Sequence, residues 1–134
     1  QETLRYYERT GSSSADVARF NLLLVAILEG QFESSFRALS ELKERYQNQG
    51  LTSRSLLVSC GLLVCQIGMG EDVLAEFEAF EIEAATQVHR DIGWLCEIAM
   101  PWASTATKNC LRRIAVDQLS RVGDQDGASR LQTA

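Results

Sequence analysis

The chain has 134 residues, 46% apolar and 23% charged, with a formal net charge of −5. At this length one domain with its own core is expected. The acidic balance argues against a phosphate-backbone binder, which needs clustered Lys and Arg to displace counterions. A single proline and little Val, Thr and Tyr alternation argue against an all-β sandwich.

Residues 1–9 read as a short charged lead-in with Tyr6 and Tyr7, and TGSSS at 10–14 as a break. Ser14 is placed to cap the helix that follows, and Asp16 in its first turn suits the helix dipole. The first helix is predicted from Ala15 to Glu29. Val17, Phe20 and every residue from Leu22 to Leu28 are apolar, so this helix is expected to be central in the fold. Gly30 ends it. The second, Gln31 to Gln47, carries one stripe of Phe32, Phe36, Leu39, Leu42 and Tyr46, with Glu33, Arg37, Glu41, Glu44 and Arg45 on the other side. NQG at 48–50 closes it.

The third helix, Thr52 to Ile67, is again almost uncharged, with Thr52 or Ser53 as its cap and GMG at 68–70 as the turn. The uncharged run from Ser55 to Gly70 is shorter than the roughly 20 apolar residues of a membrane span. It reads as a buried helix of a soluble core. The fourth helix, Glu71 to Gln87, has Val73, Phe77, Phe80 and Ala84 on one side and Ala75, Ala79 and Ile82 roughly opposite. Two apolar sides predict a helix sandwiched between neighbours, as in the middle of a stacked array. Residues 90–102 form a helix stopped at Pro101. Residues 104–122 form an amphipathic helix with Ala106, Cys110, Leu111, Ile114, Ala115 and Leu119 as core candidates, ended by Gly123. DQDGASRLQTA then begins another arm or a polar cap.

The expected fold is all-α: six to seven helices in stacked antiparallel hairpins, an α–α superhelix or an irregular bundle. The lead-in covers 1–14, the first hairpin 15–50, the second 51–88, and a less regular third hairpin with a C-terminal cap 89–134. The first two hairpins echo each other at a shift of 38 residues, which sets Leu24 on Leu62, Gly30 on Gly68, Leu39 on Phe77 and Leu42 on Phe80. Asp at Leu24 or Leu62 is expected to abolish folding. Leu28-Glu29-Gly30, Tyr46 further on and the closing VGDQDGASRL resemble the tetratricopeptide-like class of helical repeats, clearly over residues 15–87 and loosely over the rest. In this chain bulky Leu42 and Phe80 stand where that class places a small residue. The resemblance implies a right-handed stack whose concave face holds a peptide or a partner surface.

Residues 71–83 carry six acids and no base. Asp72, Glu76 and Glu83 fall near one another on the fourth helix, and Glu78 and Glu81 add charge. They form either a docking surface for a basic peptide or a solvated face paired with Lys108, Arg112 and Arg113. Trp94 and Trp102 flank Met100 and Pro101 as binding anchors or core fillers. The partner-binding candidates are therefore Asp72, Glu76, Glu78, Glu83, Trp94 and Trp102.

His89 is the single histidine, with no nucleophile motif around it and no second histidine to share a metal. The glycines form no phosphate loop, and DQDG lacks the downstream glutamate of a calcium loop. No catalytic, cofactor-binding or metal-binding residues are expected, and no enzyme. Cys60, Cys65, Cys96 and Cys110 lie in apolar helical stretches without CxxC spacing, which reads as buried reduced thiols of an intracellular, reducing compartment.

The expected function is a non-enzymatic protein-interaction or scaffolding domain with a protein or peptide partner, basic in character, and no membrane span. A chain starting at Gln1 reads as a fragment of a larger protein. The competing readings are a pentatricopeptide-style RNA-binding repeat and a ligand- or peptide-sensing domain of a regulator. The RNA reading needs Arg5, Arg9, Arg37, Lys43, Arg45, Arg54, Arg112 and Arg113 on one face. An open-ended stack also leaves room for a homodimer.

Overall fold

The computed structural model describes the backbone of residues 14–133 and the side chains of residues 18–132. The elements are α1 (Ser14–Leu28), α2 (Phe32–Asn48), α3 (Thr52–Gly68), α4 (Leu74–Ala84), α5 (Arg90–Ala99), a 3-10 turn (Met100–Trp102), α6 (Thr105–Arg121) and α7 (Gln125–Thr133). No strand occurs among the described residues. Among them, too, no helix is long and apolar enough to cross a membrane. The lead-in with Arg5, Tyr6, Tyr7 and Arg9, and the roles of the Ser14, Asp16 and Val17 side chains, lie outside the described residues.

The last carbonyls of a helix have no partner within it. In α1 the chain meets this need locally. Gly30, at φ 84, turns back so that its N–H donates to Ile27 O and the N–H of Gln31 donates to Ala26 O. The same pair of bonds recurs at Gly50, Gly70 and Gly123, all with positive φ. Gly30, Gly50 and Gly70 lie at even intervals, so the geometric equivalent of Gly30 is Gly70. This corrects the 38-residue alignment. Gly68, which that alignment placed opposite Gly30, is the last residue of α3.

Gly68 has a packing role. A Cβ there would come within 2.5 Å of the Phe32 ring, and one at Gly61 within 3.0 Å of Leu39. One turn-pair further, the Arg54 guanidinium lies 5.9 Å from the Tyr46 ring centre. Phe32, Leu39 and Tyr46 on α2 thus meet Gly68, Gly61 and Arg54 on α3 in antiparallel register, at the spacing that keeps one helix face on another. Gly93 performs the same service for α5, whose backbone closes on Leu119 and Ala115 of α6. Around these two tight pairs α1 packs on α2, α3 on α5, α4 on α6 and α6 on α7. Phe77, Leu39, Leu42, Ile92, Leu95 and Leu111 are fully buried, each contributing about 1.5–3 kcal/mol of transfer free energy.

Three expectations need correction. α1 is not central. It buries Phe20, Leu24 and Ile27 but exposes Leu22, Val25 and Leu28, because its extended contact is with α2 alone. α4 is not sandwiched. Val73, Phe77, Phe80 and Ala84 are buried, while Ala75 and Ala79 are exposed and Ile82 is 75% exposed. The cause is the glycine seam, which seats α2 down on α3 and leaves no extended contact between α2 and α4. Leu62 is only partly buried and faces the opening that results, so it is not a core position. Among smaller points, Ala106 is exposed, and α3 starts at Thr52 with neither Thr52 nor Ser53 bonded as its cap. Ser104 does cap α6, accepting from the N–H of Thr107.

Candidate functional site: a groove between α2 and α4

The lack of an extended α2–α4 contact leaves a groove floored by α3. Its larger compartment measures about 670 Å³ and the smaller about 270 Å³. Ser55, Ser59, Leu62 and Gln66 recur at helical spacing along the floor. At one end Phe36, Leu62, Leu63, Ala79 and Phe80 are mixed with Gln66 and Glu76. At the other end Gln47, Thr52, Ser55, Thr86 and Gln87 are mixed with Leu51, Leu56 and Ile82. Lys43, Ser59 and Glu83 belong to both compartments and form the waist. Lys43 and Glu83 look across the waist from opposite walls without meeting in an ion pair among the described residues. Glu76 joins Glu83 on the α4 wall, with Ala79 between them. The Ser55 hydroxyl is shut off from water and has no hydrogen-bond partner, while the Ser59 hydroxyl donates to Ser55 O at 2.9 Å.

The α4 wall is held from behind by α6. Gln118 is fully buried, and its Nε2 donates to Ala84 O at 2.9 Å and to Gln87 O at 3.0 Å. Its Oε1 accepts from the His89 N–H at 2.7 Å. One amide therefore closes the end of α4 and the start of α5 together. Arg121 donates to Ala85 O at 2.7 Å. Arg113 makes a two-bond fork to Glu81, at 3.1 and 3.2 Å, and this carboxylate raises the Arg113 pKa further.

Cys60 and Cys96 bring α3 and α5 together with their sulfurs 3.9 Å apart. The Cys96 thiol is pushed well up, by its bond to Cys60 first and by burial second. Burial pushes Cys65 up to about 12. Cys110 is pushed up to about 11 by burial and then by Glu81, against the opposing charge of Arg113. All four are free and buried.

The structure separates the six candidate residues. Glu76 and Glu83 share the groove wall. Asp72 precedes α4, and its carboxylate accepts from the Leu74 N–H at 3.2 Å. Glu78 is exposed on the α6 side of α4, where its charge bears on Arg113. Trp94 is about one-third exposed on α5. Trp102 stacks edge-on against Phe32 at 5.0 Å between ring centres. Phe32 contacts Gly68, half a turn around α3 from the groove floor, so neither tryptophan lines the groove. The basic partners proposed for the acidic stripe divide likewise: Arg113 pairs with Glu81, and Arg112 bonds Asn109.

His89 precedes α5 and is bonded through its backbone N–H. Asp124 of DQDG accepts from the Gly127 N–H at 2.9 Å, a turn that opens α7. Among the described residues no three His, Cys, Asp or Glu side chains converge as metal ligands. Sequence reasoning missed Ser59 and Gln118, and named Lys43 only among the cations of the RNA reading. For Gln118 a signal existed: a polar side chain inside the stripe Cys110, Leu111, Ile114, Ala115 and Leu119. No family model, curated protein or solved structure matches the chain.

Proposed function

We propose that this domain is a non-enzymatic protein-interaction module and that its partner docks in the groove between α2 and α4. The observation that carries the reading is an open groove of mixed apolar and polar lining whose charged groups face one another unpaired. Such a surface gains by being covered. Thiols pushed up by burial are poor nucleophiles, and their environment suits a reducing, intracellular compartment. The packing of α3 on α5 and of α4 on α6 supports a short stack of the tetratricopeptide-like kind. RNA binding gains no such support: Arg54 covers Tyr46, and Arg112 and Arg113 are engaged on α6.

A photo-crosslinking residue at position 79, compared with one at exposed Asp126 on α7, tests this. The expected outcome is a specific protein adduct from position 79 alone. No adduct from position 79, or the same adducts from both positions, would overturn the proposal.

A further inference from the structure

Resting on that reading, we infer that the groove's occupant is an amphipathic helix of a partner protein carrying two cationic side chains two turns apart. Apart from Gly50, Leu51, Thr86 and Gln87 at one end, the groove's floor and walls are helices, whose backbone groups bond within each helix. An extended peptide laid on Leu62 and Leu63 would find no backbone edge to pair with and would leave its own polar groups unmet. A helix meets those needs internally and offers an apolar stripe. The floor from Thr52 to Gln66 is about 21 Å long, room for about four helical turns.

Charge selects the kind of helix. Glu76 and Glu83 lie on one face of α4, about 10.5 Å apart along its axis. Glu81 is taken by Arg113, and Glu78 faces away from the groove, so these two carboxylates are the ones offered. Lys43 stands alone on the opposite wall, which leaves the groove acidic, and the net charge of −5 draws a basic segment toward it. Exposed Ala79 between the carboxylates leaves space for a large apolar side chain, and exposed Ile82 forms the lip beside it.

Two fluorescent helical peptides of about 18 residues, long enough to hold a helix across the floor, serve as probes. They share a leucine stripe and differ only in carrying two lysines or two glutamates, spaced seven apart, along its edge. Fluorescence anisotropy with the full chain is expected to show at least about ten-fold tighter binding of the lysine peptide at low salt, narrowing at high salt. Glu76→Lys/Glu83→Lys should reverse the preference. Glu71→Lys/Glu78→Lys makes the same charge change outside the groove and should retain it. All four side chains are exposed, and melting curves verify that the variants fold.

Equal binding of the two peptides, or equal loss in both variants, would overturn the inference. If position 79 still crosslinks to a partner protein while the peptides are not distinguished, the module stands and the basic helix falls. An adduct consisting only of two copies of this chain would assign the groove to self-association and likewise overturn it.

Discussion

The helices α1 to α3 and the junction of α4 with α5 finish their last turns differently. α1, α2 and α3 each close their last turn with a glycine two residues past the helix end, an arrangement complete within six residues of chain. α4 has no such glycine. Its last turn closes with bonds from the N–H groups of Ala85, Thr86 and Gln87 to Glu81, Glu83 and Ala84 O, and the segment from Ala84 to Gln87 is held in addition by Gln118 and Arg121, more than thirty residues away on α6. Locally capped helices are free to pack wherever their side chains fit, and α2 fits the glycine notches of α3. A helix tied by its end to α6 stays with α6. The two walls of the groove therefore belong to differently anchored parts of the molecule, and the groove is the gap between them.

The largest expected effect lies at the distant clamp. Gln118→Leu keeps the volume and removes three hydrogen bonds, stripping the Gln87 carbonyl and the His89 N–H of these bonds and leaving Ala84 O with the Gln87 N–H alone. The expected loss is about 4 kcal/mol in urea unfolding. A loss below about 1 kcal/mol would show that water replaces the amide and that α4 is not held by it.

Two glycines on α3 sharpen the other side of the comparison. Gly68→Ala drives a methyl into the Phe32 ring and should cost about 2–3 kcal/mol, most of it recovered when Phe32→Leu is added. Gly70→Ala meets no atom within 4 Å and should cost only the backbone term at positive φ, about 1 kcal/mol, with no coupling to Phe32. Similar coupling of both variants to Phe32 would erase the distinction between notch and cap.

The smallest effect is in the pH dependence. The Cys65 and Cys110 thiols have pKa values of about 12 and about 11 in the folded chain, against an ordinary 9.0. Below pH 9.0 both states keep these protons, and the thiols add no slope. Above it the unfolded chain releases them first, so stability falls as pH rises toward the folded values. Cys65→Ala/Cys110→Ala should flatten that fall relative to wild type in alkaline melts. An unchanged slope would mean that these sites admit water.

What could be read from the sequence follows the same division. Gly30 and Gly123 announced helix ends because the cap needs only the local chain. Gly68 was misread as part of a turn because an unstrained glycine in a helix looks the same whether it ends a run or receives a ring. The spacing of Phe32, Leu39 and Tyr46 opposite Arg54, Gly61 and Gly68 was present in the sequence, but its meaning depends on which two helices meet. Glu76 and Glu83 were found as an acidic face. Lys43 and Ser59 were not joined to them, because a groove between α2 and α4 arises from a contact that is not made, and no residue pattern marks that. Gln118 shows the limit most plainly: its oddity in an apolar stripe was visible, and its partners were not.

Amide shift mapping with the lysine peptide tests the central claim most directly. Titrated into the isotopically labelled full chain, the peptide should shift amides of residues 36–47, 52–66 and 76–87, the two walls and the floor. Shifts gathered instead around Leu22, Val25 and Leu28 of α1, or around Trp94 of α5, would place the binding surface elsewhere and contradict the account.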